Sequence, residues 1–323
     1  MEPTRTALVA GGAGFLGSHL CDRLLADGYR VIAVDSFITG SPKNVAHLAA
    51  NENFTLVNAD AAEAESIEQK FDLVLHFASP ASPPLYIKYP LETLHAGSSV
   101  TEALLNVARR DGARFVVAST SEVYGDPAVH PQTEDYWGNV NPIGVRSVYD
   151  EAKRYAEAIT FAYRRSFDTN TGIARLFNTY GPRMDVGDGR AIPNFIAAAL
   201  AGSPIPLHGD GSQTRSLCFV DDQIDGILRL AHSTEPGPIN IGNPHEQTLL
   251  DIAETVIRLA GSTSTIELLP RPSDDPERRQ PDITKAQALL GWNPVVGVEE
   301  GLARTVDWFR LDAAGGSPAA VTS

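Results

Sequence analysis

The sequence has 323 residues, 43% hydrophobic and 20% charged, a balance that gives a globular chain of about two domains or one large α/β unit. Its 26 Lys and Arg against 40 Asp and Glu leave a formal charge of −14, which excludes a general nucleic-acid binder. No apolar run approaches the ~20 residues that cross a bilayer, and no charged-then-apolar leader precedes the first strand, so the expected location is the cytoplasm. A reducing compartment also suits Cys21 and Cys218, which give no disulfide framework and read as small buried hydrophobes.

In the first half, short apolar runs alternate with helical patterns. That predicts α/β architecture, a Rossmann-type doubly wound parallel sheet. Strands are expected at Thr6–Ala10, Arg30–Asp35, Phe54–Asn58, 73–77, 114–119 and 172–177. A helix over 14–26 stops at Asp27-Gly28, and one over about 91–110 stops at Asp111-Gly112. A third carries Tyr149 and Lys153 and runs to about Phe167. From Thr179 onward, loops rich in Gly, Pro and Asp separate shorter elements, with helices at about 192–201 and Leu249–Ala260. The expected division is a cofactor domain over 1–178, a smaller C-terminal substrate domain over 179–312 and a disordered tail over 313–323. Segments 216–220 and 238–242, within about 214–244, are expected to return to the main sheet.

Gly11-Gly12-Ala13-Gly14-Phe15-Leu16-Gly17 follows the first strand and opens the first helix. Gly11, Gly14 and Gly17 allow a tight turn, and the helix N-terminus around Phe15 and Leu16 favours a pyrophosphate. Asp35 ends the second strand 18 residues after Gly17. Its carboxylate accepts ribose hydroxyls and repels a 2′-phosphate, so the expected cofactor is NAD rather than NADP. Taken alone, Asp35 also reads as a cap on the loop holding Ser36, Phe37, Thr39 and Gly40, all grouped here with the cofactor. Asp60 has two readings, an adenine contact or a plain surface residue. Ala78 and Ser119, at the ends of two strands, are placed on the cofactor side.

Tyr149 and Lys153, four apart, lie on one side of a helix. A nearby ammonium lowers the phenol's pKa and lets the tyrosine act as a base near neutral pH. An exposed helix face gives the same spacing by chance, but the glycine fingerprint upstream favours chemistry. The strand before them ends in hydroxyls, where doubly wound sheets place ligands. Thr120 is the expected partner of the substrate hydroxyl, and Lys153 of the nicotinamide ribose. Ser121 and Glu122 follow, the carboxylate being either a catalytic handle or a helix-start residue.

Several stretches occur in order: HFASPASP from His76, STSEVYGDPAVHPQ from Ser119, YWGNVNP from Tyr136, LFNTYGPRM from Leu176, GDGSQTRS from Gly209 and DDPERRQPD from Asp274. Together they resemble the extended short-chain dehydrogenase/reductase superfamily, and within it the UDP-glucuronate decarboxylases, over residues 6–309. The resemblance implies that Tyr149 takes the C4 hydroxyl proton while NAD⁺ takes the C4 hydride. The 4-keto sugar then loses C6 as CO₂, the hydride returns, and UDP-xylose leaves. It implies that Glu122, with Ser121, acts near the carboxylate and in protonation at C5, with Arg215 as a cationic partner. Asn178, Arg183, Arg215 and Arg278 are implied to meet the UDP-sugar, with Pro80 and Tyr86 beside the sugar; for Tyr86 plain packing is equally open. Arg278 and Arg279 are not separated in role. No metal is expected; the resemblance implies a homodimer built on two long helices per subunit, and the helix over 96–107, which departs from the family pattern, is read as a contact face.

Ser36, His208, Val148 and Ala152 depart from the family pattern, His208 standing where a stacking tyrosine is common. The alternatives are a UDP-4-keto-pentose synthase that releases NADH, a dTDP-glucose 4,6-dehydratase and a non-catalytic NAD sensor. Ser121 opposes the dehydratase, whose relatives carry an Asp-Glu pair there.

Overall fold

A computed structural model describes residues 4–270 and 279–315. The chain begins β1 (Thr6–Ala10), α1 (Phe15–Ala26), β2 (Arg30–Asp35), β3 (Phe54–Asn58), β4 (Leu73–His76), α2 (Pro83–Lys88), α3 (Pro90–His95) and α4 (Thr101–Asp111). Next come β5 (Arg114–Thr120), α5 (Ser147–Phe167), β6 (Thr171–Leu176), β7 (Thr179–Tyr180), α6 (Ala191–Ala201), β8 (Ile205–His208), β9 (Thr214–Ser216) and β10 (Cys218–Phe219). The remainder is α7 (Val220–Ala231), β11 (Ile239–Ile241), β12 (Glu246–Thr248), α8 (Leu249–Ala260), β13 (Ile266–Leu269), α9 (Thr284–Leu290) and α10 (Val298–Ala313).

Seven parallel strands form the main sheet in the order β11-β6-β5-β4-β1-β2-β3. Its central strands are buried on both faces, so they read as unbroken apolar runs rather than alternating ones. Side chains still alternate between two cores. Ala7 and Val9 join α1, α6, α7, α8 and α10 on one side, while Leu8 and Ala10 join α4 and α5 on the other. Chain order reverses between β1 and β4, the switch point where such sheets hold ligands.

The C-terminal lobe is built from three two-stranded pairs, β7 with β10, β8 with β13 and β9 with β12, together with α6 and α8. It shares its core with α1 and α7 beneath the sheet.

Two expectations are corrected. The segment 216–220 does not return to the main sheet: β10 is cut to two residues because α7 starts at Val220, and it pairs with β7 instead. Only β11 returns, beside β6. The single helix expected over 91–110 is interrupted by a π turn at Ala96–Val100. There the backbone closes on α5, and a Cβ at Gly97 would stand 2.5 Å from the Ala152 carbonyl oxygen. The Thr101 hydroxyl bonds the Gly97 carbonyl at 2.9 Å, holding the widened turn. Among the described residues no helix is long and apolar enough to cross a membrane.

Candidate active site

A cleft of about 990 Å³ runs along the C-terminal ends of the central strands and under the lobe. It gathers every site residue expected from the sequence except Phe37, with Arg278 lying outside the described residues.

At one end, the loop after β1 is shaped by close approach. Gly11 has φ +80°, and a Cβ there would sit 2.7 Å from the Phe77–Ala78 backbone. A Cβ on Gly17 would run into the Gly11 carbonyl oxygen. Gly14 caps α1 without a side chain, and among the described residues no side chain caps the first-turn N–H groups at Phe15 and Leu16, which line the cleft. A glycine cradle over an uncapped helix start fits the diphosphate of a dinucleotide. Asp35 both lines this end and caps the next loop. Its carboxylate accepts the Ala13 N–H at 2.9 Å and the Phe37 N–H at 2.8 Å, and burial pushes its pKa up. A Cβ on Gly40 would stand 2.7 Å from that carboxylate. Ser36, Thr39 and Gly40 line the cleft. Phe37 is corrected: φ +57° turns its ring away, against the core under the sheet. Asp60 lines the cleft with its oxygens engaged, one by the Ala62 N–H and one by His95 Nε2, both at 2.9 Å.

Next to this end, β5 and α5 are joined through three consecutive strand residues. Lys153 Nζ donates to the Ala118 carbonyl at 2.9 Å, Ser119 Oγ donates to Glu157 at 2.5 Å, and the Thr120 hydroxyl bonds the Tyr149 phenol. Tyr149, Lys153 and Glu157 follow one another at intervals of four, one stripe of α5. Glu157 in turn receives Arg175 through two bonds, at 2.9 and 2.8 Å. Tyr149 is 6% exposed and Lys153 5%, which removes the exposed-helix reading. The expected acidic phenol is corrected as well. Burial pushes Tyr149 up to about 12 and Lys153 down to about 8, with Lys153 Nζ 5.7 Å from the Tyr149 ring centroid. The Thr120 hydrogen bond, and after it the charge of Arg190, favour the phenolate.

Past Thr120 a 3₁₀ turn, Ser121–Tyr124, carries Glu122. One of its oxygens takes Arg146 Nη2 at 2.6 Å; the other takes Arg279 Nη1. Burial opposes the charge on Glu122, but the two guanidiniums outweigh it and hold the carboxyl at about 2. Asp150 beside them is driven the other way, up to about 7, by burial and by Glu122. Arg146 was not singled out from the sequence, and Arg279 was named only together with Arg278, without a role of its own. Arg146 stands three residues before Tyr149, a spacing that offered a signal; Arg279 reaches Glu122 across 157 positions, and local pattern offers none.

Toward the lobe, Pro80, Tyr86, Asn178 and Arg215 line the cleft, with Arg215 on β9 donating to the Thr214 carbonyl at 2.8 Å. His208 lines it too, its Nδ1 3.0 Å from the Pro270 carbonyl oxygen. Arg183 lines the cleft too. With φ +69° it turns toward α1 and bonds Asp22 at 2.6 Å, while His19 meets the Pro182 carbonyl oxygen at 3.0 Å.

The family model described as the NAD dependent epimerase/dehydratase family matches residues 7–242. The chain is similar to UDP-glucuronic acid decarboxylase 1 of Danio rerio, 50% identical over 94% of this chain and 72% of that protein. Among solved structures it is similar to a UDP-glucuronic acid 4-epimerase from Bacillus cereus in complex with UDP-glucuronic acid and NAD. That likeness has a TM-score of 0.85 at 29% identity, over 94% of this chain and 99% of the other. A dTDP-glucose 4,6-dehydratase from Streptomyces venezuelae superposes at 0.87 with 30% identity, covering 97% and 99%.

Proposed function

The chain belongs to the NAD-dependent epimerase/dehydratase family, and we propose that within it this protein decarboxylates UDP-glucuronate to UDP-xylose. Its similarity to the Danio rerio decarboxylase supports the reading. The observation that carries it is the state of Glu122. A carboxyl with a guanidinium on each oxygen is held as the anion, which opposes its donating the proton that a leaving hydroxyl needs in dehydration. The same pair of cations attracts a substrate that is itself a carboxylate.

When bound, NAD⁺ supplies a reversible hydride acceptor for C4 of the sugar. The chain's residues do the rest. Tyr149 exchanges a proton with the C4 hydroxyl, and Thr120, bonded to the phenol, steadies its anion. Lys153, fixed on the Ala118 carbonyl, is placed for the ribose beside it. Once C4 is a ketone, the C5–C6 bond pair moves into a C4–C5 double bond, CO₂ departs, and the charge settles on the C4 oxygen. The Tyr149 and Thr120 hydroxyls stabilise that enolate. Glu122, kept ionised, positions Arg146 and Arg279; the enolate collapses to the ketone as C5 takes a proton from water, and Tyr149 returns its proton to the C4 oxygen as the hydride goes back to C4. Asn178 and Arg215 take the diphosphate and sugar; Arg183, bound to α1, is assigned to the cofactor flank.

The same reading divides the chain into a cofactor domain over 1–178 that also holds β11, and a UDP-sugar domain over the rest to 312. It makes the protein a cytoplasmic homodimer. Exposed Leu91, Leu94 and Tyr155 on the adjoining α3 and α5 support a subunit contact, and two buried free thiols suit a reducing compartment. The test is to incubate protein, UDP-glucuronate and NAD⁺ and to follow CO₂ and the sugar by NMR. UDP-xylose is expected. Absence of CO₂ refutes the reading, and CO₂ with accumulating NADH and 4-keto sugar replaces it with the keto-pentose synthase.

A further inference from the structure

Beside Tyr149 the cleft has a polar corner that neither the dinucleotide cradle nor the C4 hydroxyl uses. α2 carries Tyr86 into it, with its ring flat against that of Tyr149, centroids 5.1 Å apart and planes within 7°. Tyr86 is 1% exposed, yet its hydroxyl has no hydrogen-bond partner among the described residues. A buried polar group left without a partner costs about 1–3 kcal/mol, so one that faces a cleft marks where a ligand atom belongs. The charged and titratable groups acting on this phenol are Arg146, Glu122, Asp150 and Tyr149, Arg146 first among them. Arg146 stands at the start of α5, lines the cleft, and is tied to Glu122 through Nη2.

We infer that Tyr86 and Arg146 together receive the C6 carboxylate of the sugar and select a hexuronate over a neutral hexose. The inference rests on the decarboxylase reading above. In a hexuronate, C6 is borne by C5, the ring carbon next to C4. A C4 hydroxyl placed on Tyr149 therefore brings C6 to the groups that flank that phenol. Tyr86 offers a hydroxyl donor, and Arg146 offers a fork of N–H donors suited to a carboxylate. Glu122 against Arg146 and Arg279 leaves one net positive charge. That matters because the carboxylate leaves as neutral CO₂. A full-strength cationic clamp would stabilise the ground state and oppose the loss, whereas an arginine shared with Glu122 binds without that penalty.

The experiment measures binding of UDP-glucuronate and UDP-glucose by calorimetry to the NADH-loaded enzyme, in which C4 cannot be oxidised and the sugar is not consumed, for wild type, Tyr86→Phe, Arg146→Gln and Arg146→Lys. Losing a hydrogen bond to a charged group should weaken UDP-glucuronate about tenfold or more in Arg146→Gln. UDP-glucose should change by less than about twofold, since its C6 hydroxyl needs no cation. Arg146→Lys should recover part of the selectivity. Tyr86→Phe keeps the stacked ring, so it tests the hydroxyl alone and should lower the same ratio severalfold. Equal weakening of both sugars, or an unchanged ratio in Tyr86→Phe and Arg146→Gln, overturns the inference. Failure of the wild type to release CO₂ overturns the decarboxylase reading instead.

Discussion

Replacing Glu157 by Gln should damage both the fold and the redox site. Glu157 lies between β5, α5 and β6, accepts Ser119 Oγ at 2.5 Å, and receives Arg175 at 2.9 and 2.8 Å. Both side chains of the ion pair are largely buried. Removing one charge from such a pair strands the other, at a cost of about 3 kcal/mol or more. Arg175 keeps its bonds to the Tyr124 hydroxyl and the Glu134 carbonyl, each 3.0 Å, so the loss should fall near the bottom of that range. For a chain of this size, that is a fall in melting temperature of about 5 °C or more. Because Glu157 anchors the helix two turns beyond Tyr149, kcat should fall with KM nearly unchanged. A second variant, Arg175→Met, should add little on top of Glu157→Gln, since the pair is already broken. A melting temperature within about 1 °C of wild type, or additive losses in the double variant, would refute the buried-pair reasoning.

Glu122→Gln loosens Arg146 and Arg279 and should cut CO₂ release by about a hundredfold, the cost of a misplaced binding group, while NAD binding, read from protein fluorescence, persists; full turnover would remove Glu122 from the mechanism. Gly17→Ala pushes a methyl into the Gly11 carbonyl, so NAD binding should be lost in a direct titration. Asp150, pushed up to about 7, has a folded pKa above its unfolded value. Its contribution to stability is therefore present at low pH and lost as pH rises toward and through 7. Asp150→Asn should accordingly raise the melting temperature at pH 8 and leave it nearly unchanged at pH 4; an equal gain at both would contradict this.

The parallel sheet was legible because its inner strands are buried apolar runs, as in β1 and most of β2, while the edge strand β3, half-exposed, carries the expected bounds from its β-branched and apolar residues. The glycine cradle and the Tyr149–Lys153 pair were legible for a related reason, since both are made from neighbours in the chain. What escaped was decided by distant partners. β7 and β10 are two residues each and exist only by pairing with one another. The π turn follows from the approach of Gly97 to α5. Phe37 sits in a polar-looking loop, and only its positive φ sends the ring to the core. The phenol of Tyr149 illustrates the energetic side: a Lys four residues away suggested an acidic tyrosine, but desolvation is the larger influence in the folded chain.

The contacts of Glu122 and Tyr149 differ in how they can change over time. Tyr149 is set by β5 and α5, packed against each other directly, whereas Glu122 is set partly by Arg279, brought back from near the chain's end. On the reading proposed above, oxidising a sugar and deciding what the oxidised sugar does next would then rest on separate parts of the polypeptide. A substitution at position 279 should alter the fate of the keto intermediate more than the step that makes it, and a change in the ratio of CO₂ to keto sugar released would show it.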